Sequence, residues 1–145
     1  MSLFEAHLTV ADLERSIAFY RDRLGFTLAH IVPARGVAFF WLGAPGETML
    51  GLWSIGSAPV SIRSHIAFRV GADEIAATIP KLRTAGIAPR DPEPVVHCWM
   101  PAASVYFDDP DGHSLEYIAM LPDPPRPDLA GRVTLAAWRD LQTAR

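Results

Sequence analysis

The chain of 145 residues contains a single cysteine, Cys98. That excludes an internal disulfide and fits a reducing compartment, so the expected location is the cytoplasm. There is no basic excess either: 13 Lys and Arg stand against 16 Asp and Glu, for a formal net charge of -3. Without a cationic surplus nothing tracks a phosphate backbone, and nucleic acid is not an expected partner. No apolar run approaches a membrane span, and the N-terminus has neither the charged nor the apolar region of a signal peptide. Membrane association is therefore not expected. Met1-Ser2-Leu3 reads in part as a cloning leader. With 50% hydrophobic and 20% charged residues, the composition suits one domain with a sizeable core.

What is present is organised around Val105-Tyr106-Phe107-Asp108-Asp109-Pro110-Asp111-Gly112-His113-Ser114-Leu115-Glu116-Tyr117-Ile118. It reads as strand, turn, strand. Asp-Pro-Asp-Gly supplies the turn, because Pro presets φ, Asp bonds its own backbone and Gly takes positive φ. The period of 2 puts Ser114, Glu116 and Ile118 on one face and Leu115 and Tyr117 on the other. A carboxylate at mid-strand must face solvent or something cationic.

Earlier in the chain, Phe4 to Val10 alternates, with Glu5, His7 and Thr9 on one face. Asp12 is placed to N-cap a helix whose apolar residues Leu13, Ile17, Tyr20 and Leu24 recur at spacings of three and four, and Gly25 stops it. Phe26–Val32, Val37–Leu42 and Met49–Trp53 read as strands. The second half repeats this order: strand Ser64–Val70, helix Ala72–Ala85 with Pro80 expected to kink or divide it, then strands at Ile87–Pro89, Val95–Met100 and the hairpin Ser104–Met120. His7 and His65 are separated by about 58 residues, the repeat period. The expected fold class is α+β, two tandem βαβββ modules forming a cupped sheet: module one over 4–56, module two over 62–120, in one domain of 4–120. Residues 121–145 form a tail, first a connector holding Pro122, Pro124, Pro125 and Pro127, then a short helix over Val133–Leu141 whose Leu135, Trp138 and Leu141 cover the body or a partner subunit.

Within this repeat His7 and His65 occupy equivalent strand positions, and Glu116 lies near the end of module two. Two imidazoles and a carboxylate make a facial set that leaves open positions on a divalent metal, as catalysis requires. His97, His113 and His30 are weaker ligand candidates. His113 follows the turn glycine and is expected to face solvent; His97 and Cys98, being adjacent on a strand, point to opposite faces.

The chain resembles the vicinal oxygen chelate superfamily, which includes glyoxalases, extradiol ring-cleavage dioxygenases, bleomycin-resistance proteins and fosfomycin-resistance thiol transferases. The residues that carry the resemblance are His7-Leu8-Thr9-Val10, Asp12 to Phe26, His65-Ile66-Ala67-Phe68 and Asp109 to Glu116. It implies metal ligands at His7, His65 and Glu116. A fourth ligand of glyoxalases, on the last strand of module one, would fall near Gly51, which cannot ligate; Glu47 lies in a turn. The resemblance also implies that Thr9, Ser104 and Tyr106 face substrate, while Val96 stands where a phosphonate-neutralising basic residue is expected. Met49 and Trp53, with Trp41, Trp99 and Met100, would line an apolar pocket. His97 and Tyr106 are the candidate bases.

The expected function is a divalent-metal-dependent enzyme acting on a small substrate with vicinal oxygens. Fe(II) suits a dioxygenase; Mn(II), Ni(II) or Zn(II) suits isomerase, lyase or transferase chemistry. The alternatives are a metal-free bleomycin-resistance-like binding protein and a fosfomycin-resistance thiol transferase. A homodimer is expected, with modules paired within one chain or between two.

Overall fold

The computed structural model describes residues 3–55, 62–129 and 131–143. Met1, Ser2 and the expected end of module one at residue 56 lie outside the described residues. The chain divides into two compact units, Met1–Ser64 with Asp109–His113, and His65–Asp108 with Ser114–Arg145.

The first unit contains β1 (Glu5–Val10), α1 (Leu13–Ala18), β2 (Thr27–Val32), β3 (Val37–Trp41) and β4 (Met49–Ser54). The sheet order is β1-β4-β3-β2, with β1 parallel to β4 and the remaining pairs antiparallel. Asp12 caps α1 by accepting the Arg15 N–H at 3.0 Å. The helix widens into a π-helical turn over Phe19–Arg23, and Gly25 follows at φ +74°, a conformation that costs little only without a Cβ. Alternation along β1 sorts the faces as expected. Leu8 and Val10 are fully buried together with Ala38, Phe40, Leu50 and Leu52, and α1 packs on β3 and β4. Burial contributes about 1.5–3 kcal/mol for each large aliphatic. Glu5, His7 and Thr9 leave from the opposite face.

The turn Asp109–His113 packs in this unit. Asp109 Oδ1 accepts the N–H of Asp111 at 2.9 Å and of His113 at 2.8 Å, closing the tight turn, while Oδ2 accepts the Tyr20 phenol at 3.1 Å. Asp111 takes the Arg15 guanidinium at 2.7 Å and the Ser16 hydroxyl at 3.1 Å. His113 is the first correction to the sequence reading: it is 1% exposed rather than solvent-facing. The Ser64 N–H donates to its Nδ1 at 3.0 Å, so Nε2 carries the proton and donates to the Thr9 carbonyl at 2.6 Å. Those partners lie far away in sequence, so no local pattern announces them.

Tyr20 is fully buried, and burial, then the Asp109 carboxylate, pushes its phenol above the ordinary tyrosine range. The folded chain thus keeps this proton to higher pH than the unfolded chain. Its contribution is complete below about pH 10, the ordinary tyrosine value, and is lost as pH rises beyond it. Urea midpoints are expected to fall above pH 10, and Tyr20→Phe to flatten that slope while lowering neutral-pH stability by about 1 kcal/mol. An unchanged alkaline slope in Tyr20→Phe would refute the assignment.

The second unit contains β5 (His65–Arg69), α2 (Ile75–Thr84), β6 (Val95–His97), β7 (Ala102–Asp108), β8 (Ser114–Met120), β9 (Arg132–Thr134) and α3 (Leu135–Thr143). Its sheet runs β5-β8-β7-β6-β9. The first four strands reproduce the order of the first unit, again with the first strand parallel to the last. The duplicated βαβββ design is therefore present in topology as well as in sequence. Leu115, Phe107, Val105 and Val96 are buried, as are Ile75, Ile79 and Leu82 of α2, and α2 packs on β7 and β8.

Three expectations are corrected here in whole or in part. Ile87–Pro89 is not a strand; Pro89 and Pro92 remove ladder donors, and the segment is tied to β7 by the Arg90 N–H to Tyr106 O bond at 2.8 Å and by the Arg90–Asp108 ion pair. Pro80 does not divide α2, which runs unbroken through it. Both Pro80 and Ala76 are exposed, so the carbonyl left without a donor faces water. Finally, Val133 belongs to β9, an added strand absent from the sequence reading, and α3 starts at Leu135. Thr134 caps α3 by accepting the Ala137 N–H at 3.2 Å. Among the described residues no helix is long and apolar enough to cross a membrane.

Candidate metal centre

Cross-strand pairs share a face, so the ladder places the candidates without reference to their distances. Glu116 pairs with Tyr106, Ser104 with Val95, Ala102 with His97, and His97 with Arg132. His65 pairs with Ser114, two residues from Glu116. One face of the second sheet therefore carries His65, Glu116, Tyr106, Ser104, His97 and Arg132, contributed by all five strands. The opposite face is the aliphatic one described above.

His65 and Glu116 form the centre of this row. His65 Nδ1 lies 3.1 Å from the Ser114 carbonyl and 3.2 Å from the Ser114 hydroxyl. Nε2 faces Glu116 Oε2 at 3.0 Å. Glu116 is only 4% exposed, and its Oε1 has no hydrogen-bond partner. Such a group costs about 1–3 kcal/mol to desolvate if left alone. Among the described residues, the partnerless buried polar side-chain atoms also include Ser104 Oγ and Trp53 Nε1. Three residues picked out by sequence for a site thus carry unmet polar groups, which active sites tolerate and cores do not.

Tyr106 hydrogen-bonds His97 Nε2 through its hydroxyl at 2.8 Å. Burial, then the Glu116 charge, holds the phenol above the ordinary tyrosine range, so it stays protonated at neutral pH. The Arg132 guanidinium lies 5.7 Å above the Tyr106 ring, within cation–π reach. Sequence reasoning missed Arg132, because only the pairing of β9 with β6 brings it here.

In the first unit His7 Nε2 lies 3.0 Å from Glu5 Oε1. The imidazole stacks on Trp53, with ring centres 5.6 Å apart, and lies over Gly51. A Cβ at Gly51 would come within 2.9 Å of the ring. The ladder also corrects the matching of the two modules. Glu116 pairs with Ala67, two residues beyond His65, and the corresponding pair is Thr9 with Trp53. Trp53, rather than Gly51, stands at the counterpart of Glu116. An indole cannot ligate a metal any more than glycine can. Thr9 and Met49 lie on the His7 face, as does Trp41. Trp99 is in a turn and 65% exposed, so it lines nothing within its unit. Among the described residues no three His, Cys, Asp or Glu side chains gather closely enough to hold a metal. The donors come as imidazole–carboxylate pairs.

The sequence profile of the Glyoxalase/Bleomycin resistance protein/Dioxygenase superfamily matches residues 2–117. The chain belongs to that superfamily. It is 31% identical over 117 residues to metallothiol transferase FosB of Lysinibacillus sphaericus (strain C3-41), covering 75% of each protein. Among solved structures, an integron cassette protein from the mobile metagenome of the Halifax Harbour sewage outfall is 34% identical with a TM-score of 0.74, over 82% of this chain and 98% of that one. A glyoxalase/bleomycin resistance protein/dioxygenase from Nocardioides is 28% identical with a TM-score of 0.68, over 90% of each. The superfamily match ends before β9 and α3, so Arg132 lies in a segment beyond it.

The metallothiol transferase relative carries a metal in its name, and the imidazole and carboxylate of module two are metal-ligating types. His65 Nε2 and Glu116 Oε2 converge to 3.0 Å, and an imidazole nitrogen with a carboxylate oxygen is a donor pair that divalent metals take. The second, partnerless carboxylate oxygen is an acceptor that a cation would satisfy.

Proposed function

We propose that this protein is a divalent-metal-dependent enzyme acting on a small substrate with neighbouring oxygens, with His7, His65 and Glu116 as ligands in a homodimer. The observation that carries the proposal is the buried Glu116 carboxylate, 3.0 Å from His65 Nε2 and with one oxygen unpaired. When bound, the metal supplies Lewis-acid chelation that stabilises an enolate, alkoxide or leaving oxygen. Tyr106 holds a proton on its hydroxyl beside this centre, and His97 Nε2 shares the bond through which that proton can leave. Ser104 Oγ offers a hydroxyl to a substrate oxygen, and Thr9, Met49 and Trp53 line the surface around His7.

A second reading, thiol transfer to a small anionic substrate, is favoured by Arg132. The sequence offers Val96 where an anion-binding basic residue is expected, and that valine is fully buried. Arg132 brings a guanidinium to the same face from β9 instead, and the metallothiol transferase relative has the corresponding chemistry in its name.

The test is metal content after purification without chelator, for the parent, His7→Ala and His65→Ala. Near one equivalent per site in the parent, lost in both variants, is expected; Fe would rank a dioxygenase first, and Mn, Ni or Zn a transferase, lyase or isomerase. No binding after reloading with all four ions would sink the enzyme proposal and leave a metal-free binding protein.

A further inference from the structure

We propose that Glu5 is a metal ligand beside His7, so that module one contributes an imidazole and a carboxylate as module two does. The inference rests on the metal-enzyme reading above. Glu5 and His7 are two residues apart on β1 and leave the same face. Glu5 Oε1 lies 3.0 Å from His7 Nε2, the same separation as Glu116 Oε2 from His65 Nε2.

The ring orientation that creates the pair is set by packing. Trp53 stacks against the imidazole with an interplanar angle of 28°, and Phe39 meets it edge-on at 6.1 Å. Beneath it lies Gly51, where any side chain would displace the ring. Locked rotamers of this kind are what a ligand needs to hold its aim.

The ladder explains why the carboxylate comes from β1. In module two the carboxylate partner of the histidine stands on the last strand, at Glu116; in module one that register position holds Trp53. The tryptophan orients His7 and cannot supply an oxygen. Glu5 restores the missing carboxylate from the first strand. A surface ion pair would show the same contact in the metal-free protein, since both side chains are partly exposed. Losing a carboxylate that only hydrogen-bonds His7 could also lower metal affinity, but would leave the Co(II) ligand set, and so its band positions, unchanged.

The experiment uses the full chain, loaded with Zn(II) for affinity by chelator competition and with Co(II) for its visible spectrum. Glu5→Gln keeps shape and removes the charge; Glu5→Asp keeps the charge. Glu5→Gln is expected to weaken Zn(II) binding at least ~10-fold and to change the Co(II) band positions and intensities, with Glu5→Asp nearer the parent. Parent-like affinity and spectrum in Glu5→Gln would overturn the proposal while leaving the His7, His65 and Glu116 assignment standing. A parent that binds neither ion would overturn both.

Discussion

Glu116→Leu is expected to lower metal content from near one equivalent to below about a tenth while raising the stability of the metal-free protein by about 1–2 kcal/mol. The two effects have one cause. The carboxylate is almost fully buried, with Oε2 3.0 Å from His65 Nε2 and its second oxygen unpaired. Replacing it by a side chain of similar volume removes that desolvation penalty and adds apolar contact. The partner left behind is not stranded, because the His65 side chain is 51% exposed and keeps its Ser114 carbonyl contact. Urea titrations of chelated and metal-saturated protein measure both arms. Saturating metal is expected to stabilise the parent by RT ln(1 + [L]/Kd), about 2.7 kcal/mol at a hundredfold excess over Kd, and to leave the variant unmoved. If the metal-free variant instead lost several kcal/mol, Glu116 would be a structural residue and the centre would have to be sought elsewhere.

Trp138→Ala is expected to cost about 3–5 kcal/mol, the usual range for emptying a large aromatic site in a core. Trp138 heads the fully buried side chains by size, and its indole N–H donates to Asp123 Oδ2 at 2.8 Å, so a polar bond is lost with the packing. For a chain of this length the melting temperature should fall by about 10 °C. The loss reaches the candidate site. α3 follows β9 directly, and the Leu135 N–H to Pro94 O bond at 2.8 Å ties their junction to the strand beside it. Loosening α3 frees β9, exposes the edge of β6 and withdraws Arg132 from Tyr106. Calorimetry with hydrogen exchange checks this. An unchanged melting temperature, with protection lost only in 131–143, would mean that the tail docks without contributing to global stability.

What the sequence alone determined was everything carried by short-range pattern. The period of 2 in β1 and β5 assigned faces correctly, the three-and-four spacing placed α1, and Asp-Pro-Asp-Gly placed the turn before Ser114. Equivalent histidines at the start of each module exposed the duplication, and the sheet orders confirm it. What only the tertiary structure decided depends on which strand lies beside which, and at what offset. Alternation defines a face but is unchanged by a shift of two residues, so the counterpart of Glu116 was misplaced at Gly51 until the ladder put Trp53 there. His113 looked like an exposed turn residue because its acceptor, the Thr9 carbonyl, is 104 residues away. Arg132 sat unremarked in a proline-rich tail, since three residues make a strand only when an open edge such as β6 offers them hydrogen bonds. The polar ends of a site are brought together by those long-range pairings, and local composition contains no record of them.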